Sequence, residues 1–313
     1  MSALAVADAD ATGAVAQYRV EHTTRYAYRA PVPQSWQLAH LTPRRLAWQR
    51  LVSHAIAIEP APDARSDGTD AWGNGLTRFS IVGAHRELVV TMRGEVEGGA
   101  RPVPEPAHDE PCGTVRDAVR RDPLLDGLEA ARVVEPSTLV PWSAAAGRYA
   151  QASLDPRRGW LDGVTDLMHR IHADFRFKPG ATTVTTSVDE VLALRAGVCQ
   201  DFAHLMLACL RAHGLPARYV SGYLLTRPPP GRPRLLGADA SHAWVAAFAP
   251  EHGWVEFDPT NDTLADRRYI TLAWGADFAD VVPLRGVIVG GRGQKMSVGV
   301  SVVPRSEEPG PGG

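Results

Sequence analysis

The sequence predicts an α+β protein of two domains, a β-rich one followed by a mixed core, on three observations. Residues 18–96 alternate polar and apolar side chains in short runs separated by Gly and Pro clusters. Within 124–175 and again over 199–213, apolar residues recur at helical spacing. From 219 onward, short runs rich in β-branched and aromatic residues return. A chain of 313 residues exceeds the usual size of a single core, which agrees with two domains.

The elements follow in order. Residues 1–15 form a loose leader, because they lack the basic stretch and long apolar run of a secretory signal. Residues 16–98 form the antiparallel β domain, with runs such as Ser53 to Ile58 and Arg86 to Met92. A linker over 99–123 is rich in Gly and Pro at its start, and the core spans 124–304. Its helical region from about Leu124 to Phe175 carries Trp160, Val164, Leu167, Met168 and Ile171 on one stripe, which packs on the core sheet. Ser187 with Glu190 three positions on is a capping box opening a short helix through about Arg195, and Gly197 is placed to end that helix in a left-handed C-cap. The next helix, from Cys199 to His213, buries Phe202, Leu205, Met206, Cys209 and Leu210. A strand over Tyr219 to Leu225 precedes the Pro-rich stretch Arg227 to Arg234, which reads as a semi-rigid connector or, alternatively, a substrate-facing loop. Residues 281–303 are two β runs around Gly290 Gly291 Arg292 Gly293, most simply a hairpin, and 305–313 form a disordered tail. The sequence holds no internal repeat.

Composition narrows the functional classes. Formal charge is -2 with Arg and acidic residues interspersed, so there is no basic stripe of the kind nucleic acid or an anionic membrane would require. No apolar run approaches the ~18 residues of a membrane span. Cys112, Cys199 and Cys209 cannot form an even disulfide framework, so a reducing compartment, the cytoplasm, is expected.

Cys199 is the most informative residue. A turn at Gly197 would set it in the first turn of a helix, where the positive end of the dipole and unpaired backbone N–H groups favour a thiolate. By position alone it equally suits a small buried apolar residue. The choice is moved by His242, at the head of the run 242–248, and Asp258, at the end of the run 254–258, with a turn over 249–253 between. If these runs pair antiparallel with opposed residue numbers summing to 500 or 502, all even positions share one face. His242, Trp244, Trp254, Glu256 and Asp258 would then project together toward the start of the Cys199 helix. A nucleophile, a base and an orienting acid in one place is the constellation of covalent acyl chemistry.

Other candidates have plainer readings. His204, Cys209 and His213 share the Cys199 helix, yet their spacing scatters them around it, so no metal site is expected. Cys209 reads as core. Asp201 suits the helix dipole, and Trp244 and Trp254 are packing residues or walls of the site.

Four ordered segments resemble the bacterial transglutaminase-like family: Gly197 Val198 Cys199 Gln200 Asp201 Phe202 Ala203 His204, Gly214 to Tyr223, His242 Ala243 Trp244 Val245, and Phe257 Asp258 Pro259 Thr260. Upstream, Tyr18 to Tyr28, Leu41 Thr42 Pro43 Arg44 and Asp70 Ala71 Trp72 Gly73 Asn74 are similar to that family's N-terminal β domain. The resemblance implies a papain-like core, a helix bearing the Cys packed on an antiparallel sheet. It also implies Cys199 as nucleophile, His242 as base and Asp258 as orienting acid, and a cysteine protease or acyl transferase. No cofactor is expected. The substrate would be a protein or peptide, with water as the favoured acceptor, an amine as the alternative, and an inactive binding module as the least favoured reading.

Overall fold

The computed structural model describes residues 15–122, 124, 128–226 and 241–307. The Pro-rich connector expected at 227–234 and nearly all of the expected leader lie outside the described residues.

Four strands open the chain: β1 (Ala16–Thr42), β2 (Gln49–Glu59), β3 (Ala64–Thr69) and β4 (Gly75–Gly98). The sequence alternation survives as burial, with Tyr18, Val20, His22 and Thr24 inside while Gln17, Arg19 and Arg25 face out. β1 and β4 pair antiparallel along their length, and β2 and β3 share the other edge of β4.

A helical region follows: α1 (Cys112–Arg121), α2 (Glu129–Arg132), α3 (Ala144–Ala150) and α4 (Trp160–Asp174). The predicted stripe of α4 is buried, from Trp160 and Val164 to Ile171. Then come β5 (Arg176–Phe177), α5 (Val188–Leu194), β6 (Ala196–Gly197) and α6 (Cys199–Ala212). The core sheet is built from β7 (Ala217–Leu224), β8 (Ser241–Ala249), β9 (Gly253–Asp258), β10 (Thr263–Leu264) and β11 (Tyr269–Gly275), in the antiparallel order β10-β9-β8-β7-β11.

This sheet has two buried faces. Ala243, Val245 and Ala247 of β8 join the large core that contains Phe202, Leu205 and Met206 of α6. Trp244 and Ala246 join a second cluster with Val220, Tyr269 and Trp274, against which Leu46 and Trp72 of the N-terminal region pack. The molecule is therefore α+β, a papain-like core whose helix-bearing sheet is backed by an N-terminal β domain.

The last two strands correct an expectation. β12 (Leu284–Val289) and β13 (Gln294–Pro304) do not fold back on each other as a hairpin. Both pair antiparallel with β1, β12 over Gln34 to Ala39 and β13 over Tyr18 to Tyr28. The glycines expected to make a hairpin turn instead carry the chain past the bulged stretch of β1 between Ala27 and Val32, with Gly290, Gly291 and Gly293 at φ of 75°, 62° and 68°. Beyond β13, Arg305–Glu307 form a 3-10 turn in which Arg305 Nη2 lies 3.0 Å from Glu95 Oε1. No helix among the described residues is long and apolar enough to cross a membrane.

Candidate active site

The approach to Cys199 is built by local chemistry. α5 starts on the expected capping box, with Ser187 N donating to Glu190 Oε2 at 2.8 Å and Glu190 N to Ser187 Oγ at 3.3 Å. It ends on Arg195 in the left-handed region at φ 50°, not on Gly197, so the predicted glycine C-cap is corrected. Arg195 tolerates this conformation with its guanidinium over the Phe175 ring, 4.8 Å from the centroid. Gly197 is glycine for another reason. A Cβ there would sit 2.7 Å from Asp201 Oδ2 and 2.8 Å from Asp201 Cβ, because the carboxylate folds back over the start of α6.

Asp201 fixes that start. Its Oδ2 accepts from Val198 N at 2.7 Å and from Thr182 Oγ1 at 2.6 Å, which ties the helix cap to the preceding loop. Burial pushes its carboxyl up from the ordinary range, opposed by these two hydrogen bonds. Asp201 thus serves as a hydrogen-bonded brace as well as a dipole partner. Phe177 pairs with Gly197, and Lys178 N donates to Gly197 O at 2.8 Å, holding the chain extended up to the helix. Cys199 then occupies the first helical position, where backbone N–H groups have no intrahelical acceptor. It is half-buried, whereas Cys112 and Cys209 are buried, and all three are free thiols.

β8 and β9 pair with opposed numbers summing to 502, one of the two expected registers, as in Ala246 with Glu256 and Phe248 with Trp254. Even positions therefore share a face. That face is turned away from the body of α6, so the expectation that Trp244 and Trp254 point at the Cys199 helix is corrected: both rings belong to the clusters on the other side. His242, at the end of β8, still meets both partners. Its Nε2 donates to Asp258 Oδ2 at 2.7 Å, and its ring also hydrogen-bonds Cys199, for which Nδ1 is the free nitrogen. Burial alone would lower the imidazolium pKa, but the Asp258 carboxylate and the ring's hydrogen bonds to Asp258 and Cys199 outweigh it and push it up to about 10.

Asp258 is fully buried and saturated with donors. Oδ2 accepts from His242, from Asn261 Nδ2 at 2.6 Å and from Tyr269 Oη at 2.7 Å. Oδ1 accepts from Thr260 N at 2.8 Å and Asn261 N at 3.2 Å. Burial would raise its pKa; the His242 charge and these hydrogen bonds reverse that and hold it below the usual carboxylate range. Trp244 stacks on the His242 ring, centroids 6.0 Å apart and planes 27° apart.

Asn261 and Tyr269 were not singled out from sequence. Asn261 carried a usable signal, since an Asp followed three positions on by Asn across a Pro is a side-chain-stapled turn. Tyr269 carried none, because it arrives from a strand whose place beside β7 depends on the fold. The remaining candidates are structural. His204 accepts from Phe278 N at 3.3 Å, and burial pulls its pKa down to about 4; His213 Nε2 donates to Gly147 O at 3.0 Å. Burial pushes the Cys209 thiol up, and its Sγ donates to Ala146 O at 3.4 Å.

With a half-buried thiol at a helix start, an imidazole against it and a buried carboxylate behind, the site has the layout of cysteine-dependent acyl chemistry. The sequence matches the bacterial transglutaminase-like N-terminal region over residues 18–97 and the transglutaminase-like superfamily over 145–259. A protein of uncharacterised function from Mycobacterium tuberculosis is 42% identical over 295 residues, covering 92% of this chain and 93% of that one. A counterpart from Mycobacterium leprae is 33% identical over 290 residues, 91% of this chain and 97% of its own length. A protein-glutamine gamma-glutamyltransferase of Pseudomonas aeruginosa is 37% identical over 148 residues, which is 37% of this chain and 22% of that one. The crystal structure of "a putative cysteine protease from Cytophaga hutchinsonii" superposes with a TM-score of 0.71 at 18% identity, covering 94% of this chain and 92% of that one, which shows the shared fold. The chain belongs to the bacterial transglutaminase-like family.

Proposed function

We propose that the protein is a thiol-dependent hydrolase, a cysteine peptidase or amidase acting on a carboxamide or peptide bond of a protein or peptide. The observation that carries this reading is the His242 ring, held by Asp258 at 2.7 Å on one nitrogen and facing Cys199 with the other. In the proposed cycle the thiol proton rests on His242 as the imidazolium, and Cys199 Sγ attacks the carbonyl carbon. The Cys199 backbone N–H supports the developing oxyanion from the helix start. The C–N bond then breaks, His242 returns the proton to the leaving amine, and an acyl-thioester remains on Cys199. Water, deprotonated by His242, attacks the thioester and releases the acid with regeneration of the thiol.

A second reading, transfer of the acyl group to an amine, is favoured by the similarity to the Pseudomonas aeruginosa protein-glutamine gamma-glutamyltransferase. Incubating the purified protein with a peptide library, with and without a primary amine, separates the two by mass spectrometry. Hydrolysis yields cleaved chains or a carboxamide turned to carboxylate; transfer yields amine adducts. No product under either condition sinks the proposal. Three free thiols support a reducing compartment as the place of action.

A further inference from the structure

We propose that Arg101, from the segment joining the β domain to the core, is a positioning residue for the His242–Asp258 pair and acts through Glu256, Trp244 and Tyr269. This inference rests on the catalytic reading above.

The geometry converges on one guanidinium. Arg101 Nη1 lies 2.5 Å from Glu256 Oε2, and both side chains are buried, at 7% and 5% exposure. Arg101 Nη2 donates to Tyr269 O at 2.8 Å and Nε to Asp266 O at 3.0 Å, so the group is fixed on three sides. Two of these contacts lead on to the site, one through an intervening ring and one directly. Glu256 Oε2 accepts from Trp244 Nε1 at 2.5 Å, and the Trp244 ring stacks on His242. Tyr269, held at its carbonyl, donates its phenol to Asp258 Oδ2 at 2.7 Å.

A buried ion pair brings little net stability, since desolvation offsets its attraction. What it does fix is orientation. An indole held at its N–H cannot tilt, and its face sets the plane of the imidazole stacked on it. Misplacing a reacting group by as little as 1 Å can cost about a hundredfold in rate. Arg101 reaches this position only because β4 delivers the chain beside Trp48, whose ring lies 5.5 Å from the guanidinium. The β domain thereby becomes part of the catalytic unit.

The test uses the full-length protein and needs no substrate. Iodoacetamide labelling of Cys199 is followed by peptide mapping as a function of pH, because Cys112 and Cys209 are buried. The titratable groups facing His242 are Cys199 from α6, Asp258 from β9 and the neutral phenol of Tyr269 from β11, and all remain in the variants. Arg101→Met/Glu256→Met removes both charges at similar volume. It is expected to fold, to label about tenfold more slowly at neutral pH, and to give a pH–rate profile displaced from that of the wild type. Trp244→Phe, which keeps a ring but loses the donor, should shift the profile the same way and decides the matter if the double variant does not fold. Folded variants with an unchanged pH–rate profile overturn the positioning role while leaving the catalytic reading intact. A wild-type Cys199 that labels like an ordinary thiol overturns both.

Discussion

At the scale of single residues, one helix carries two thiols with opposite fates. Cys199 meets the His242 ring at the helix start, while Cys209 lies fully buried against Ala146 O. Cys199→Ala is expected to abolish product formation while leaving the circular dichroism spectrum unchanged. Cys209→Ala is expected to keep activity and lose about 1–2 kcal/mol in chemical denaturation, the cost of a small core truncation. A folded but inactive Cys209→Ala protein would reverse the assignment. Titration adds a second prediction. His242 is raised from 6.5 to about 10, so its stabilising contribution is complete below pH 6.5 and disappears as pH climbs to about 10. His22 and His204 are lowered by burial to about 4, so the unfolded chain binds their protons first and stability falls as pH drops from 6.5 toward 4. Thermal melts across this range should peak near pH 6.5, and His242→Gln should flatten the alkaline limb alone. An alkaline limb unchanged in that variant would refute the cause.

Among elements, those specified by their own segment were legible. The α4 stripe and the Ser187–Glu190 box are local signals and produced the expected helices. The β8–β9 register followed from parity, because a slip of one residue would have put His242 and Asp258 on opposite faces of the pair. What sequence could not show is which neighbour each face meets, so Trp244 and Trp254 were placed on the wrong side of the sheet. Gly197 is instructive for the same reason: a glycine after a helix suggests a turn, but here it serves a close approach set by Asp201 three positions after Val198 N. Gly197→Ala should therefore cost about 1–3 kcal/mol through overpacking and also reduce kcat/KM, since Asp201 must move away from the α6 start. Full activity with unchanged stability in this variant would show that the brace has slack.

For the molecule as a whole, the two sheets are joined by side-chain amides that act as strand surrogates. β11 is an edge strand with a register shift between Thr271 and Ala273, and Gln49 fills the gap, its Nε2 donating to Thr271 O at 2.8 Å and its Oε1 accepting from Thr271 N at 2.7 Å. Asn74 does the same for Trp274, donating to its carbonyl at 2.8 Å and accepting from its N–H at 2.9 Å. The Asp70 to Asn74 segment was legible as a family motif, but its purpose was not, because the strand it seals lies 200 positions away. Gln49→Ala leaves buried backbone groups unpaired and should lower unfolding free energy by about 2–4 kcal/mol, measured in urea; a loss below about 0.5 kcal/mol would mean that water replaces the amide. The pairing of β13 with β1 has a different consequence. Tyr18 opposes Pro304, so during synthesis an outer edge of β1 waits, unpaired, until nearly the whole described chain has left the ribosome. The core helices and sheet lie between these partners and can close first. The outer sheet is completed only by contacts of very large sequence separation, which loop closure makes slow to form, and until then the open edge of β1 is available for pairing with another chain.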